Sequence, residues 1–217
     1  MRASRVLHVL AALAGMVLIS ATGCERPPEG EPVQEPPAEA VGGAEPAEPT
    51  PDVTPEEVPE EMALSITSSA FSDGETIPVK YTADGEDVSP PLSFEGVPED
   101  AAELALICHD PDAPRAGGWT HWVVYGMAPD IGGLPEAVPT TPTVDEPKLV
   151  QGSNSWPKTG YGGPAPPAGP AHRYQFTVYA LSEELDLEPG ATKDELEAAM
   201  EGTIIAEAML EGLYGRG

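Results

Sequence analysis

The chain has few positively charged residues and few cysteines, and both shortages limit what it can do. Lysine and arginine number 10 against 37 aspartates and glutamates, which gives a formal net charge of −27. A surface this acidic repels nucleic acid, so we expect no nucleic-acid partner. The only cysteines are Cys24 and Cys108, and no disulfide framework is implied.

Long hydrophobic runs are also missing. The one apolar run near the N-terminus contains His8, follows Arg2 and Arg5, and is too short for a membrane-spanning helix. This order is typical of a secretory signal, which we assign to residues 1–23. The last residues, Ala21-Thr22-Gly23-Cys24, resemble a bacterial lipobox, although Leu, Val or Ile is more usual where Ala21 stands.

Cys24 is therefore predicted to be the lipidated N-terminus of the mature protein. The alternative is an ordinary signal peptide that is cleaved near Ala21 or Gly23. The next residue is Glu25, not the aspartate that retains lipoproteins in the inner membrane. We expect a lipid-anchored protein of the cell envelope, in the outer membrane if the host is Gram-negative.

Residues 24–61 have a different composition, with 12 acidic residues, one basic residue (Arg26), repeated prolines and no aromatic residue. Such a segment cannot bury enough apolar surface to offset the entropy lost on ordering. Prolines stiffen the segment and like charges extend it. The composition predicts a disordered acidic tether, or a solvated tail with no specific role.

Residues 62–217 are enough for one domain with a single core. Alternating residues over 63–68 predict a strand, and the apolar runs at 102–109, 120–126 and 172–181 predict buried strands. Strands and helices do not alternate along the chain, which argues against a Rossmann-like fold.

The period of the pattern changes near the C-terminus. Thr192 and Glu195 have the spacing of a helix capping box. Apolar residues from Leu196 to Ala208 follow helical spacing, and Gly212 offers an end. The domain is therefore predicted to be mainly β, with a C-terminal helix that packs on the sheet.

Three histidines, His109, His121 and His172, lie in one less acidic stretch of the domain. Alternation along the strand before Asp110 turns the aspartate toward the core and His109 to the opposite face. Asp110-Pro111-Asp112 is also typical of a turn without any function.

Alternation assigns faces on the other two apolar runs as well. It places His121 on the same face as Val123. It places His172 with Tyr174 and turns Arg173 the other way. We therefore expect Arg173 to pair with an acidic residue and not with a ligand.

Common catalytic motifs are absent from the sequence, which has no G-x-S-x-G, no H-E-x-x-H and no P-loop. His109, Asp110 and Asp112 do not match a metal-ligand spacing, so no metal and no cofactor are expected. Cys108 could suggest a thiol nucleophile, but it lies in an apolar run, where burial raises the pKa of a thiol. We assign no catalytic residue.

Five short motifs, taken in order, resemble the phosphatidylethanolamine-binding protein family, and most closely its bacterial branch known as Raf kinase inhibitor-like. They are Ser89-Pro90-Pro91-Leu92, Asp110-Pro111-Asp112-Ala113-Pro114, His121-Trp122-Val123-Val124, Gly162-Gly163-Pro164-Ala165-Pro166-Pro167 and His172-Arg173-Tyr174. The similarity covers roughly residues 64–216. The segment from Ile205 to Arg216 also resembles the closing helix of the family.

The resemblance implies a β-sandwich built on a large central antiparallel sheet, with peripheral helices and a small anion pocket at one end. The family's pocket binds phosphate, acetate or phosphorylated head groups. The residues of this chain that would line it are Asp110, His121, Pro166, Pro167, His172 and Tyr174, with Asp112 and Pro114 at the rim. Ala165 departs from the bacterial pattern, which often has cysteine there.

Three functions follow as hypotheses. The first is a binding module for a small anionic or phosphorylated ligand, with tighter binding below about pH 6.5, where histidine gains a proton. The second is an inhibitor or interaction module for an envelope peptidase or another envelope protein. The third is a hydrolase that uses Asp110 and His121. Whether the domain forms a homodimer is left open.

Overall fold

The computed structural model describes residues 63–217 of the chain. The predicted signal peptide, the lipidation site at Cys24 and the acidic tether lie outside the described residues. None of the described helices is long and apolar enough to span a membrane.

The described residues form ten strands, one α-helix and one turn of 3₁₀ helix. In chain order they are β1 (Ser65–Thr67), β2 (Glu75–Thr76), the 3₁₀ turn (Val79–Tyr81), β3 (Leu92–Glu95), β4 (Glu103–Asp110), β5 (Trp119–Met127), β6 (Gly133–Leu134), β7 (Thr143–Asp145), β8 (Lys148–Gln151), β9 (His172–Leu181), α1 (Lys193–Met200) and β10 (Ile204–Tyr214).

Two sheets organise these strands. The larger has seven strands in the order β2-β10-β9-β4-β5-β8-β7, and the smaller has three in the order β1-β3-β6. Neighbours pair antiparallel throughout, except β2, which runs parallel to β10. The predicted fold class, mainly β on a large and largely antiparallel sheet, is confirmed. The three apolar runs of the sequence became β4, β5 and β9, next to one another at the centre of the large sheet.

The large sheet has a hydrophobic cluster on each face. One cluster lies between the two sheets and includes Leu106, Trp122 and Phe176. The other lies between the large sheet and α1 and includes Ile107 and Leu196. Successive residues of β4 enter opposite clusters, which explains why its sequence is almost continuously apolar.

The predicted C-terminal helix is shorter than the sequence indicated. Its capping box forms, because Thr192 accepts from the backbone of Glu195 and the Glu195 carboxylate accepts from the backbone of Thr192. However, α1 ends at Met200, and Gly202 has φ of +82°, which breaks the helix.

The residues from Ile204 to Tyr214 form strand β10, so the prediction of a helix over this segment is wrong. Ala206, Ala208 and Leu210 alternate toward the cluster between the sheets. Their spacing suits a strand as well as a helix, and pairing with β9 along almost the whole strand decides between the two.

Candidate ligand-binding cavity

A cavity of about 290 Å³ lies at one end of the large sheet, where β4 ends and β5 and β9 begin. It gathers residues from three strands and from two of the loops beyond them. Its lining residues are Asp110, Ala113, Pro114, Trp119, His121, Trp156, Ala165, Pro166, Pro167, His172 and Tyr174. All six residues predicted to line a pocket, and Pro114 from the predicted rim, therefore surround one cavity.

Asp110 and His172 form a buried pair at the base of this cavity. Nδ1 of His172 lies 2.8 Å from Oδ2 of Asp110, and the Asp110 side chain is only 4% exposed. The other carboxylate oxygen, Oδ1, accepts from the backbone N–H of Asp112 at 2.8 Å. Because a carboxylate orients the imidazole that donates to it, Nε2 of His172 is the nitrogen left for a ligand.

Asp112, predicted at the rim, is not among the residues that line the cavity. Its carboxylate accepts from the backbone N–H, Nε and Nη2 of Arg173, at 2.8–3.0 Å. Hydrogen bonding to the guanidinium lowers the pKa of Asp112 to about 2. The prediction that Arg173 turns away and pairs with an acidic residue is confirmed.

His121 reaches the cavity because β5 bulges at this residue. Cys108 pairs with Trp122 and His109 pairs with Thr120, so His121 has no partner on β4. A bulge shifts the alternation of a strand by one residue. The prediction that His121 shares a face with Val123 is therefore wrong, because Val123 packs under α1 and His121 lines the cavity.

The His121 ring is held in one tautomer by a backbone carbonyl. Its Nδ1 lies 2.6 Å from the carbonyl oxygen of Gly162, and the backbone N–H of Gly162 donates to the carbonyl of His121. A carbonyl oxygen only accepts, so Nδ1 carries the hydrogen and Nε2 is left as an acceptor when the ring is neutral.

Burial lowers the pKa of His121 to about 4, although the Gly162 carbonyl and Asp110 act in the opposite direction. The ring is therefore neutral at pH 6. The expectation that cavity histidines gain a proton near pH 6.5 is wrong for His121.

Two hydrogen-bond donors of the cavity residues are buried and have no partner within residues 63–217. They are the hydroxyl of Tyr174 and Nε1–H of Trp119. Burial, and then the charge of Asp110, raise the pKa of Tyr174, which keeps the hydroxyl protonated. Buried polar groups are normally paired, and an exception can mark a site for a ligand.

The aromatic wall of the cavity was not predicted. Trp156 meets Trp119 and His121 edge to face, with ring centroids 5.1 Å apart in each case. His121 meets Tyr174 in the same way at 5.0 Å. Trp119 directly precedes a predicted strand, a signal that could have identified it, whereas Trp156 lies in a loop of no clear pattern.

Pro166 and Pro167 form one wall of the cavity, and it is held by residues that the sequence patterns did not point to. Nη1 of Arg216 donates to the carbonyl of Pro166 at 3.1 Å, while Nε and Nη2 of Arg216 pair with Asp84. The C-terminal end of the domain thus buttresses the wall from outside the cavity. A wider hollow of about 470 Å³ adjoins the cavity and shares Trp156 and Ala165 with it.

The cavity residues do not resemble a metal centre. Within residues 63–217, no three His, Cys, Asp or Glu side chains come together in a group that could hold a metal ion. Cys108 is fully buried in the core, and burial raises the pKa of its thiol well above the ordinary value. What the cavity offers is two unpaired donors, the Nε2 atoms of two imidazoles and an orienting carboxylate.

The sequence and the fold of this domain match a known family of proteins. The family model for phosphatidylethanolamine-binding protein matches residues 67–215. The chain belongs to the phosphatidylethanolamine-binding protein family.

Relatives from archaea and bacteria agree with this assignment. A UPF0098 protein of Methanothermobacter thermautotrophicus is 51% identical over 154 residues, which are 71% of this chain and all of the relative. The crystal structure of the homologue CT736 of Chlamydia trachomatis is 43% identical, with a TM-score of 0.65 over 71% of this chain and 99% of that one. Escherichia coli YbcL, described as a new member of the mammalian family, is 28% identical, with a TM-score of 0.65 over 72% of this chain and all of its own.

Proposed function

We propose that the domain binds small phosphorylated anions in the cavity between β4, β5 and β9. The observation that carries the proposal is that the Tyr174 hydroxyl and Nε1–H of Trp119 are buried and have no partner among the residues that the structure describes. An oxyanion supplies several acceptor atoms at once, and a donor without a partner in a buried site costs free energy that such a ligand recovers.

The negative charge of the domain does not prevent this. Among residues 63–217, Asp110 is the only acid that lines the cavity, and its two oxygens already accept from His172 and from the backbone of Asp112. Its charge is therefore engaged at the base of the cavity. Pro166 and Pro167 bring no backbone N–H of their own to the opposite wall.

The test is a phosphate titration of the described domain followed by NMR of the tryptophan indoles. We expect phosphate to shift the Nε1–H signal of Trp119. Trp122 is a matched internal control, because its indole already donates to Gln151 in the core at 2.7 Å. Equal shifts at both indoles, or none at Trp119 at millimolar phosphate, would contradict the proposal.

The proposal includes an envelope location. Its support is the sequence of residues 1–24, with its apolar run and its lipobox-like Ala21-Thr22-Gly23-Cys24. We expect the full chain to fractionate with membranes and a Cys24→Ser variant not to. Membrane association of both forms to the same extent would exclude the lipid anchor.

We also infer a binding role and not a catalytic one. Cys108, a thiol on strand β4, packs in the core beside Trp122 and Phe176. A screen for phosphatase and esterase activity is expected to show none above a His121→Ala control.

A protein-interaction role is the second candidate, and β10 is the feature that favours it. Ile204, Ile205 and Met209 are 38–52% exposed. Strand β2 pairs only with Gly212 and Leu213 of β10, so within residues 63–217 the first part of β10 has a strand partner on one edge only. If an envelope protein binds there, Met209→Glu should abolish its recovery from envelope extract, whereas His172→Ala should leave it unchanged.

A further inference from the structure

The tautomer of His121 restricts the kind of anion that the cavity can accept. Nδ1 of His121 is committed to the Gly162 carbonyl at 2.6 Å, so the neutral ring turns a bare nitrogen, Nε2, to a ligand. No hydrogen bond within residues 63–217 uses Nε2, and the ring lines the cavity. A bare imidazole nitrogen accepts a hydrogen bond and cannot donate one.

We propose that the cavity selects oxyanions that still carry a hydroxyl hydrogen, namely phosphate monoesters and inorganic phosphate in their monoanionic form, over phosphodiesters. A monoester monoanion can donate its hydroxyl hydrogen to Nε2 of His121 while its other oxygens accept from Tyr174 and Trp119. A diester has no such hydrogen. This inference rests on the proposed function and names the class of ligand within it.

In a bound diester, an oxygen lone pair would face the lone pair of Nε2 of His121, and the two would repel each other. The alternative is to protonate His121, but the ring is 2% exposed and neutral at pH 6. Either arrangement leaves a buried polar group unpaired or charged at a cost in free energy. The selectivity therefore follows from one hydrogen bond to a backbone carbonyl on the far side of the ring.

The groups around His121 do not change this assignment. Asp110 on β4 is engaged with His172 and with the backbone of Asp112, so it does not serve Nε2. The Asp87 carboxylate accepts from the backbone N–H of Gly163. His109 does not line the cavity, and the charged groups that act on it include Lys193 and Asp194 of α1. Tyr174 and Trp156 meet the ring edge to face.

Two matched ligand pairs test the inference by isothermal titration calorimetry with the described domain. Methyl phosphate is compared with dimethyl phosphate, and phosphoethanolamine is compared with glycerophosphoethanolamine, the diester found in a lipid head group. At pH 5.5 we expect each monoester to bind about tenfold or more tightly than its diester. The second ionisation of a phosphate monoester lies near pH 6, so the ratio should shrink by pH 7.5.

A variant and an NMR measurement assign the effect to His121. In His121→Gln the ratio should fall toward one, whereas His109→Gln, at a residue that does not line the cavity, should keep the wild-type ratio. If His121→Gln does not fold, the NMR resonances of the ring nitrogens of wild-type His121 test the inference instead. They should show hydrogen on Nδ1 alone in the free protein, and a second hydrogen at pH 6 would overturn the inference.

The outcomes separate the two proposals. Equal affinity for monoester and diester overturns this inference and leaves the proposed anion site intact. Binding of neither class by a folded domain overturns both. A diester that binds more tightly than its monoester also overturns the inference, and it would favour a lipid head group over a free phosphate compound.

Discussion

Two aspartates, one at the end of β4 and one in the loop just after it, each pair with a residue at the start of β9, in opposite surroundings. Asp110 and His172 are 4% and 12% exposed at the base of the cavity, whereas Asp112 and Arg173 are 32% and 48% exposed on the surface. The exposed pair is saturated, because three N–H groups of Arg173 reach the Asp112 carboxylate. The buried pair leaves one imidazole nitrogen for other partners.

The difference separates a structural pair from a functional one. An exposed pair in high dielectric contributes little free energy, and here it fastens the loop after β4 to β9. A buried pair strengthens the interactions of every group beside it, because water is excluded. The start of β9 thus contributes His172 to the cavity and Arg173 to the surface pair that holds the loop after β4.

The largest effect is expected from breaking the buried pair. Asp110→Ala leaves Nδ1 of His172 and the backbone N–H of Asp112 without an acceptor. We expect a loss of about 3 kcal/mol in the free energy of unfolding, measured by urea denaturation. Asp112→Ala is the matched control and should cost less. Equal losses would show that burial does not distinguish the two pairs.

The next effect is the pH dependence of the domain's stability, which we expect His121 to cause. The folded domain keeps His121 neutral down to about pH 4, while the unfolded chain protonates it near its ordinary pKa of about 6.5. The unfolded state therefore binds more protons between these values, and stability falls as the pH falls from 6.5 to 4.

The lowered pKa of His121 should reduce the free energy of unfolding at acid pH by at most about 3 kcal/mol, since each pKa unit corresponds to about 1.4 kcal/mol. The measurement is denaturation of wild type and His121→Gln at pH 4.5 and 7. We expect a smaller difference between the two pH values in the variant. The same difference in both proteins would exclude His121 as the cause.

A smaller and more selective effect is expected at Tyr174. Its hydroxyl has no partner within the described domain, so Tyr174→Phe should leave the free energy of unfolding unchanged or slightly higher. Phosphate affinity should fall about tenfold, because a donor to the ligand is lost. Tyr179→Phe, on the outer face of β9, is the control and should bind as wild type does. A destabilised Tyr174→Phe would mean that the hydroxyl has a partner in the free protein.

The smallest effect is expected from the exposed pair. Arg173→Lys retains the charge but cannot supply the two guanidinium donors that grip Asp112. Stability should decrease slightly, and phosphate affinity should stay within about twofold of wild type. A large loss of phosphate affinity would show that Arg173 takes part in ligand binding.

Strand-borne residues of the cavity were the predictable ones. Alternation placed Asp110 toward the core. It also placed His172 and Tyr174 on one face of the strand and Arg173 on the opposite face, because long apolar strands keep a period of two. His121 is an exception because β5 bulges there, and the bulge depends on how β5 pairs with β4, which the sequence pattern does not show.

Loop-borne residues were predictable only where a motif carried them. Pro114, Pro166 and Pro167 came from the resemblance to the family, whereas Trp156 had no motif and was missed. The prediction of a helix in the C-terminal segment was wrong for another reason. Alternate small and apolar residues from Ile204 onward fit two periods, and only the partner strand selects one.

The sequence by itself determined the charge, the mainly β domain and its central strands, because composition and local periodicity need no knowledge of partners. The set of residues that gather at one end of these strands came from the resemblance to the family. Only the tertiary structure decided which face His121 takes, which imidazole nitrogen it offers, and which donors are buried without a partner. Those properties depend on contacts between distant segments, above all the bulge opposite β4 and the carbonyl of Gly162.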